Sequence, residues 1–180
     1  GIVFLLVVII LPIYLIHSNP PSRRKLGWKG WLKQVAKICH EVEKEALIYT
    51  RDLIPQKHSP SFLSDALCYN ACKIAEDLDA KAMIGMTRSG YTAFKLSSFR
   101  PHAEIYIFSD RQSIINQLSL CWGVRAFAYT KFESTDVTIK DVQKILIEGN
   151  FLKTGDVVIN TGSMPINEQG IANMVKISVI

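Results

Sequence analysis

From Ala82 onward, short apolar runs alternate with segments of helical pattern, and the connections between them are short. The runs cover Ala82–Met86, Glu104–Ser109, Val124–Tyr129 and Asp156–Thr161. Between them the spacing predicts helices over Gly90–Phe99, Asp110–Leu120 and Thr138–Glu148. Such alternation confines the chain to a mainly parallel sheet with helices on both faces, because each helix carries the chain back to start the next strand. Ile105-Tyr106-Ile107-Phe108 and Val157-Val158-Ile159 are apolar at successive positions, which fits burial on both sides. A last strand, Asn173–Ile180, instead alternates Val175, Ile177 and Val179 with Lys176 and Ser178.

Two helices precede the sheet. One is predicted over Trp31–Arg51, with Leu32, Val35, Ile38, Val42 and Ala46 near helical spacing. The second starts at Ser59-Pro60-Ser61 and runs to Leu78, burying Phe62, Leu63, Ala66, Leu67, Ala71, Ile74 and Ala75. The fold class is therefore α/β, a three-layer αβα sandwich of about five strands preceded by helices.

Thr87-Arg88-Ser89-Gly90-Tyr91-Thr92 sits where the first strand breaks and a helix begins. A helix start leaves N–H groups without intrahelical partners, and the helix dipole favours negative charge there. Hydroxyls of Thr87, Ser89 and Thr92 add donors, and Arg88 adds a formal positive charge. A phosphate group suits this arrangement. A βα turn with Ser89 or Thr87 as an ordinary N-cap suits it equally, because strand–Ser/Gly–helix junctions are common.

The run from Ala80 to Ala93, followed by Ser98-Phe99-Arg100-Pro101, resembles the C-terminal domain of pyruvate kinase. That family shows a hydrophobic strand, then T-x-[ST]-G-x-[ST]-A, then a short helix closing on [KR]-[YF]-R-P. Leu118-Ser119-Leu120-Cys121-Trp122-Gly123-Val124 is similar to its L-x-L-x-[WYR]-G-V. Phe151-Leu152-Lys153-Thr154-Gly155-Asp156 is similar to G-x-[LV]-K-x-G-D, and Gly170-Ile171-Ala172-Asn173 to Lys176-Ile177 resembles the closing G-x-x-N-x-x-[KQR]-[VI]. The resemblance divides the chain into residues 1–34, which do not match, and a pyruvate kinase C-terminal-like domain over 35–180. It also implies an antiparallel last strand.

The resemblance implies a regulatory and subunit-contact domain of a glycolytic enzyme that makes pyruvate and ATP from phosphoenolpyruvate and ADP. The catalytic barrel, with its Mg²⁺ and K⁺, has no counterpart in these residues, so the chain is expected to hold no catalytic residues or cofactor and to show no turnover alone. The implied partners are a phosphorylated small-molecule effector, the rest of a subunit and a homo-oligomer, a tetramer in the full enzyme. Thr87, Arg88, Ser89, Gly90, Tyr91 and Thr92 would cradle one phosphate, with position 91 variable in the family. A second loop, Gly162–Gly170, would contribute Ser163, Asn167, Glu168 and Gly170. Glu168 departs from sugar-bisphosphate binders and would repel a second phosphate if it pointed inward, so the expected effector is a monophosphate, or inorganic phosphate or sulfate alone. The loop Thr130–Val137 is a third candidate wall. The alternative is a stand-alone phosphate-ligand sensor sharing the same loop; a purely structural assembly module whose loop is an empty N-cap is the remaining option.

The formal charge of +5 belongs to one end. Arg23, Arg24, Lys25, Lys29, Lys33 and Lys37 come before any acid, and the rest holds 15 basic and 16 acidic residues, net −1. Composition therefore gives no support to nucleic-acid binding by the body. Cys39, Cys68, Cys72 and Cys121 lack further soft or imidazole ligands at metal spacing, so no metal site is expected; buried reduced thiols fit a cytoplasmic domain. No G-x-S-x-G or G-x-G-x-x-G is present, which removes the common hydrolase elbow and the dinucleotide fingerprint. Ile2–Ile16 is almost wholly apolar but shorter than the roughly 20 residues that span a bilayer. It reads as the visible end of a membrane anchor with Arg23-Arg24-Lys25 on the cytoplasmic side, as a signal-peptide core, or as sequence foreign to the fold.

Overall fold

The computed structural model describes residues 28–44, 48–49, 53–131, 133–164 and 172–180. The chain divides into two compact units, Gly1–Ile48 and Tyr49–Ile180. In the first, helix α1 covers Trp28–Val42. It starts earlier than the predicted Trp31 and ends before the predicted Arg51. The apolar run Ile2–Ile16 lies outside the described residues. No helix among the described residues is long and apolar enough to cross a membrane.

The second unit runs α2 (Phe62–Asp77), β1 (Ala82–Met86), α3 (Tyr91–Phe99), β2 (Glu104–Ser109), α4 (Gln112–Leu118), β3 (Val124–Ala128), α5 (Thr135–Glu148), β4 (Val157–Gly162) and β5 (Met174–Val179). The strand order is β3-β2-β1-β4-β5. The β1–β2, β1–β4 and β2–β3 pairs are parallel, and β5 runs antiparallel on the edge beside β4. The α/β reading and its antiparallel last strand are both present, with strand limits within a residue of those predicted. Helix α5 begins three residues before Thr138, because the Ser134 hydroxyl accepts the Val137 N–H and caps it at Thr135.

Right-handed crossovers explain the layering. The path β1 to β2 to β3 moves one way across the sheet, so α3 and α4 lie on one face. The step from β3 back past β2 and β1 to β4 reverses direction, so α5 covers the other. Side-chain burial follows. Met83, Ile105, Ile107 and Ile159 pack with Cys68, Ala71 and Ala75 of α2, Ala93, Leu96 and Phe99 of α3, and Leu118 of α4. Their strand neighbours Ile84, Tyr106, Phe108 and Val158 pack against Ile139, Val142 and Leu146 of α5. Successive strand residues thus serve opposite cores, which is why these strands carry no polar alternation.

Helix α2 buries Ala71 and Ala75 and packs Leu67 and Ile74 against the core as expected, but departs from the expected stripe at Leu63. Its buried residues are Ser64, Asp65, Cys68, Ala71 and Ala75, whereas Leu63 is 70% exposed. The stripe is made of small residues, which lets the helix lie close to the sheet. Gly85 in β1 leaves room for the neighbouring strand: a Cβ there would meet Ile107 Cδ1 of β2 at 2.7 Å.

Candidate functional site

Parallel strands present one common end, and the loops that leave it share one edge of the sheet. Register places the end of β1 flush between its neighbours, with Met86 opposite Phe108 of β2 and Gly85 opposite Thr161 of β4. The loop after β1 is thus flanked by Ser109-Asp110 on one side and Gly162-Ser163 on the other. The Thr130–Val137 segment follows β3, beyond β2, and is shortened because α5 already begins at Thr135.

Thr87 continues the strand: its N–H donates to Phe108 O at 3.1 Å. The chain then folds on its own hydroxyls. Thr87 Oγ1 accepts the Gly90 N–H at 2.9 Å, and Ser89 Oγ accepts the Tyr91 N–H at 3.3 Å. Gly90 is the N-cap of α3 and has φ 81, in the left-handed region that glycine occupies without a steric cost. Its carbonyl accepts the Phe94 N–H at 3.0 Å. Among the described residues the Ser89, Thr92 and Ala93 N–H groups have no hydrogen-bond partner, nor does the Thr92 hydroxyl, although Thr92 is only 7% exposed. Donors therefore collect at a helix start, which is the physical requirement for holding an anion.

The two larger side chains of the loop are anchored to other elements. Arg88 Nε pairs with Asp110 Oδ2 at 3.3 Å. The Tyr91 hydroxyl donates to Asp65 Oδ1 of α2 at 2.6 Å, and Lys95 of α3 pairs with Asp65 Oδ2 at 2.9 Å. Ser61 Oγ also donates to Asp65 Oδ2 at 3.0 Å, and Lys95 Nζ lies 5.8 Å from the Tyr91 ring centre. Burial by itself would raise the Asp65 carboxyl. The bonds from Tyr91, Lys95 and Ser61 outweigh it and hold the group below the usual carboxylate range. Asp65 in turn raises Lys95, first through their hydrogen bond. Tyr91, expected to face a phosphate, therefore has its hydroxyl engaged with α2.

Of the late loop, Ser163 is half-buried directly after β4. Asn167, Glu168 and Gly170 lie outside the described residues. The base of that loop is pinned by Asn173, whose Oδ1 accepts the Met164 N–H at 2.7 Å and whose Nδ2 donates to Met164 O at 2.9 Å.

Metal and thiol chemistry find little footing. No group of three or more His, Cys, Asp or Glu among the described residues is arranged to hold a metal ion. Cys39, Cys68, Cys72 and Cys121 are free thiols. Burial pushes Cys68 and Cys72 up to about 12, leaving them protonated and poor nucleophiles near neutral pH.

Residues 65–178 match the family model described as pyruvate kinase, alpha/beta domain. The chain is 32% identical over 147 residues to a pyruvate kinase of Clostridium acetobutylicum, covering 81% of this chain and 31% of that protein. It is 28% identical over 144 residues to a pyruvate kinase of Lactobacillus delbrueckii subsp. bulgaricus, covering 78% and 24%. A crystal structure of a Cryptosporidium parvum pyruvate kinase matches with a TM-score of 0.60 at 22% identity, over 69% of this chain and 23% of that one. The chain spans about a third or less of the length of the curated relatives it matches.

Proposed function

This chain belongs to the pyruvate kinase family, as its C-terminal α/β domain, and on that premise we propose that it is the regulatory and subunit-contact part of such an enzyme, binding a phosphate-bearing effector at residues 87–92. The family domain is taken to begin near residue 35. The reaction it would serve is phosphoryl transfer from phosphoenolpyruvate to ADP, in a barrel whose residues are not among these 180. Phosphoryl transfer depends on metal ions and positioned charge, and the described residues offer no such donor set. The chain alone is therefore expected to give no pyruvate from phosphoenolpyruvate, ADP and Mg²⁺. In the assembled enzyme it would be one domain of each subunit of a homo-oligomer working in the cytoplasm.

The observation that carries the effector reading is the cluster of unpartnered donors at the start of α3: three backbone N–H groups and the Thr92 hydroxyl, at the end of the central strand. Helix α3 aims its dipole at the same point. Thr87, Ser89 and Gly90 shape the turn, and Arg88 supplies positive charge. Ser163, Asn167, Glu168 and Gly170 would form the opposite wall, where a Glu168 carboxylate, if it pointed inward, would disfavour a second phosphate.

Calorimetry on the chain with a hexose monophosphate and with a hexose bisphosphate tests this. The reading expects saturable binding of the monophosphate, with the bisphosphate no more than a few-fold tighter. A bisphosphate bound a hundredfold tighter would overturn the monophosphate assignment, and no binding of either would overturn the effector site.

A further inference from the structure

Asp110 stands beside the loop that the proposed function assigns to phosphate, and it follows β2, the strand paired with β1. Its carboxylate lies 3.3 Å from Arg88 Nε, and among the described residues Arg88 is its ion-pair partner and nothing else is. It does not cap α4: that helix starts at Gln112 after Arg111, and the turn before it is closed by Ser109 Oγ accepting the Arg111 N–H. Both side chains of the pair are about one-third exposed, at 36% for Arg88 and 30% for Asp110. A partly exposed ion pair of this kind contributes little to stability. The carboxylate therefore has a local electrostatic effect without an evident structural task.

We propose that Asp110 is a specificity-determining residue of the anion site, a built-in competitor that occupies Arg88 and sets the affinity for phosphate. The inference rests on the reading that residues 87–92 bind a phosphate group. An incoming anion meets donors from the α3 start, a guanidinium already partnered, and a carboxylate within a few ångströms of that guanidinium. It either displaces Asp110 from Arg88 or binds beside it against its charge. Both routes weaken binding, and both weaken it more as the ligand's charge grows, because Coulomb repulsion scales with that charge. A site built this way holds its effector loosely and releases it when the effector is scarce.

The test uses the full chain with D110N, and with the pair R88A and R88A/D110N, each titrated by NMR with methyl phosphate and dimethyl phosphate at low ionic strength. Asparagine keeps the shape of aspartate and removes its charge. Methyl phosphate carries about −1.5 to −2 near neutral pH, and dimethyl phosphate carries a single charge. The expected result is D110N binding methyl phosphate roughly tenfold and dimethyl phosphate roughly threefold more tightly than the parent, with both gains shrinking in 0.5 M salt. In the R88A background the D110N gain is expected to fall to about threefold, since only direct repulsion remains. A parent chain that fails to bind while D110N binds also supports the proposal. Equal or weaker binding by D110N, with the parent binding normally, overturns the competitor role and leaves the phosphate site standing. Absence of binding by all four proteins overturns the phosphate site and the competitor together.

Discussion

The two ends of helix α3 make an instructive contrast. Each is bounded by a residue in the left-handed region, Gly90 with φ 81 in front and Arg100 with φ 51 behind. In front, the residue has no side chain, the neighbouring Ser89 is exposed, and N–H groups stay without partners. Behind, a bulky residue adopts the same backbone and is buried. The Arg100 guanidinium lies 5.2 Å from the centre of the Trp122 ring, Ser97 Oγ donates to Trp122 O at 2.7 Å, and Tyr49 meets Trp122 edge-on and stacks on His102. A non-glycine residue held there costs on the order of 1 kcal/mol and persists only where packing over-determines it. The rear end is closed by side chains. The front end is closed by backbone and hydroxyls, so its donors remain available. The proposed phosphate site falls on the end that packing left open.

The largest break in this contrast is expected at the rear. Trp122→Ala removes the surface under Arg100 and one of the rings against Tyr49, and should lower stability by about 2–3 kcal/mol. Chemical denaturation measures this, with phosphate affinity unchanged once the chain is folded. An equal loss of affinity would mean that the two ends are not independent.

Asp65 comes next, because it ties the front of α3 to α2. Asp65→Asn leaves the Tyr91 hydroxyl and Lys95 without their acceptor charge, at a cost of about 2 kcal/mol. The sign with pH follows from the depressed carboxyl. The stabilisation is present above the unfolded value, near 3.9, and is lost as pH falls through the folded one. Urea midpoints between pH 6 and pH 2 should therefore drop further for the parent than for the variant. Parallel curves would contradict the assigned role of Asp65.

Gly90→Ala gives the smallest loss of stability of the three. Left-handed backbone with a Cβ costs about 1 kcal/mol, and the new atom would meet the Phe94 ring at 3.1 Å. Its effect on phosphate should exceed its effect on stability, since the loop must shift at the donors themselves. A titration and a melting curve on the same sample compare the two.

The sheet was legible because each strand is apolar at successive positions and each connection is short. Ile105-Tyr106-Ile107-Phe108 fits a strand buried on both faces, and it lies where expected. The loop 87–92 was legible as a helix start because Ser89-Gly90 breaks the strand. What the sequence hid is tertiary. Tyr91 looked like a candidate ligand contact, yet its hydroxyl partner Asp65 lies 26 residues away. Arg88 looked like an available cation, yet it pairs with Asp110 across the sheet edge. On α2 the predicted Ala71 and Ala75 are buried, but Leu63 is exposed and Ser64, Asp65 and Cys68 lie inside, which hydrophobicity alone does not indicate. The pattern starts α5 late, because Thr135-Asp136-Val137 reads as loop until the Ser134 cap is seen.

The central claim is that the open front of α3 holds phosphate. Its most direct test is a ¹H–¹⁵N titration of the chain with inorganic phosphate, following the backbone amides of Ser89, Gly90, Thr92 and Ala93. The account predicts large, saturable shifts confined to those amides and their immediate neighbours, with the Arg100–Ala103 end of α3 unmoved. Shifts spread over surface lysines, or none at Ser89, Thr92 and Ala93 at any phosphate concentration, would contradict it.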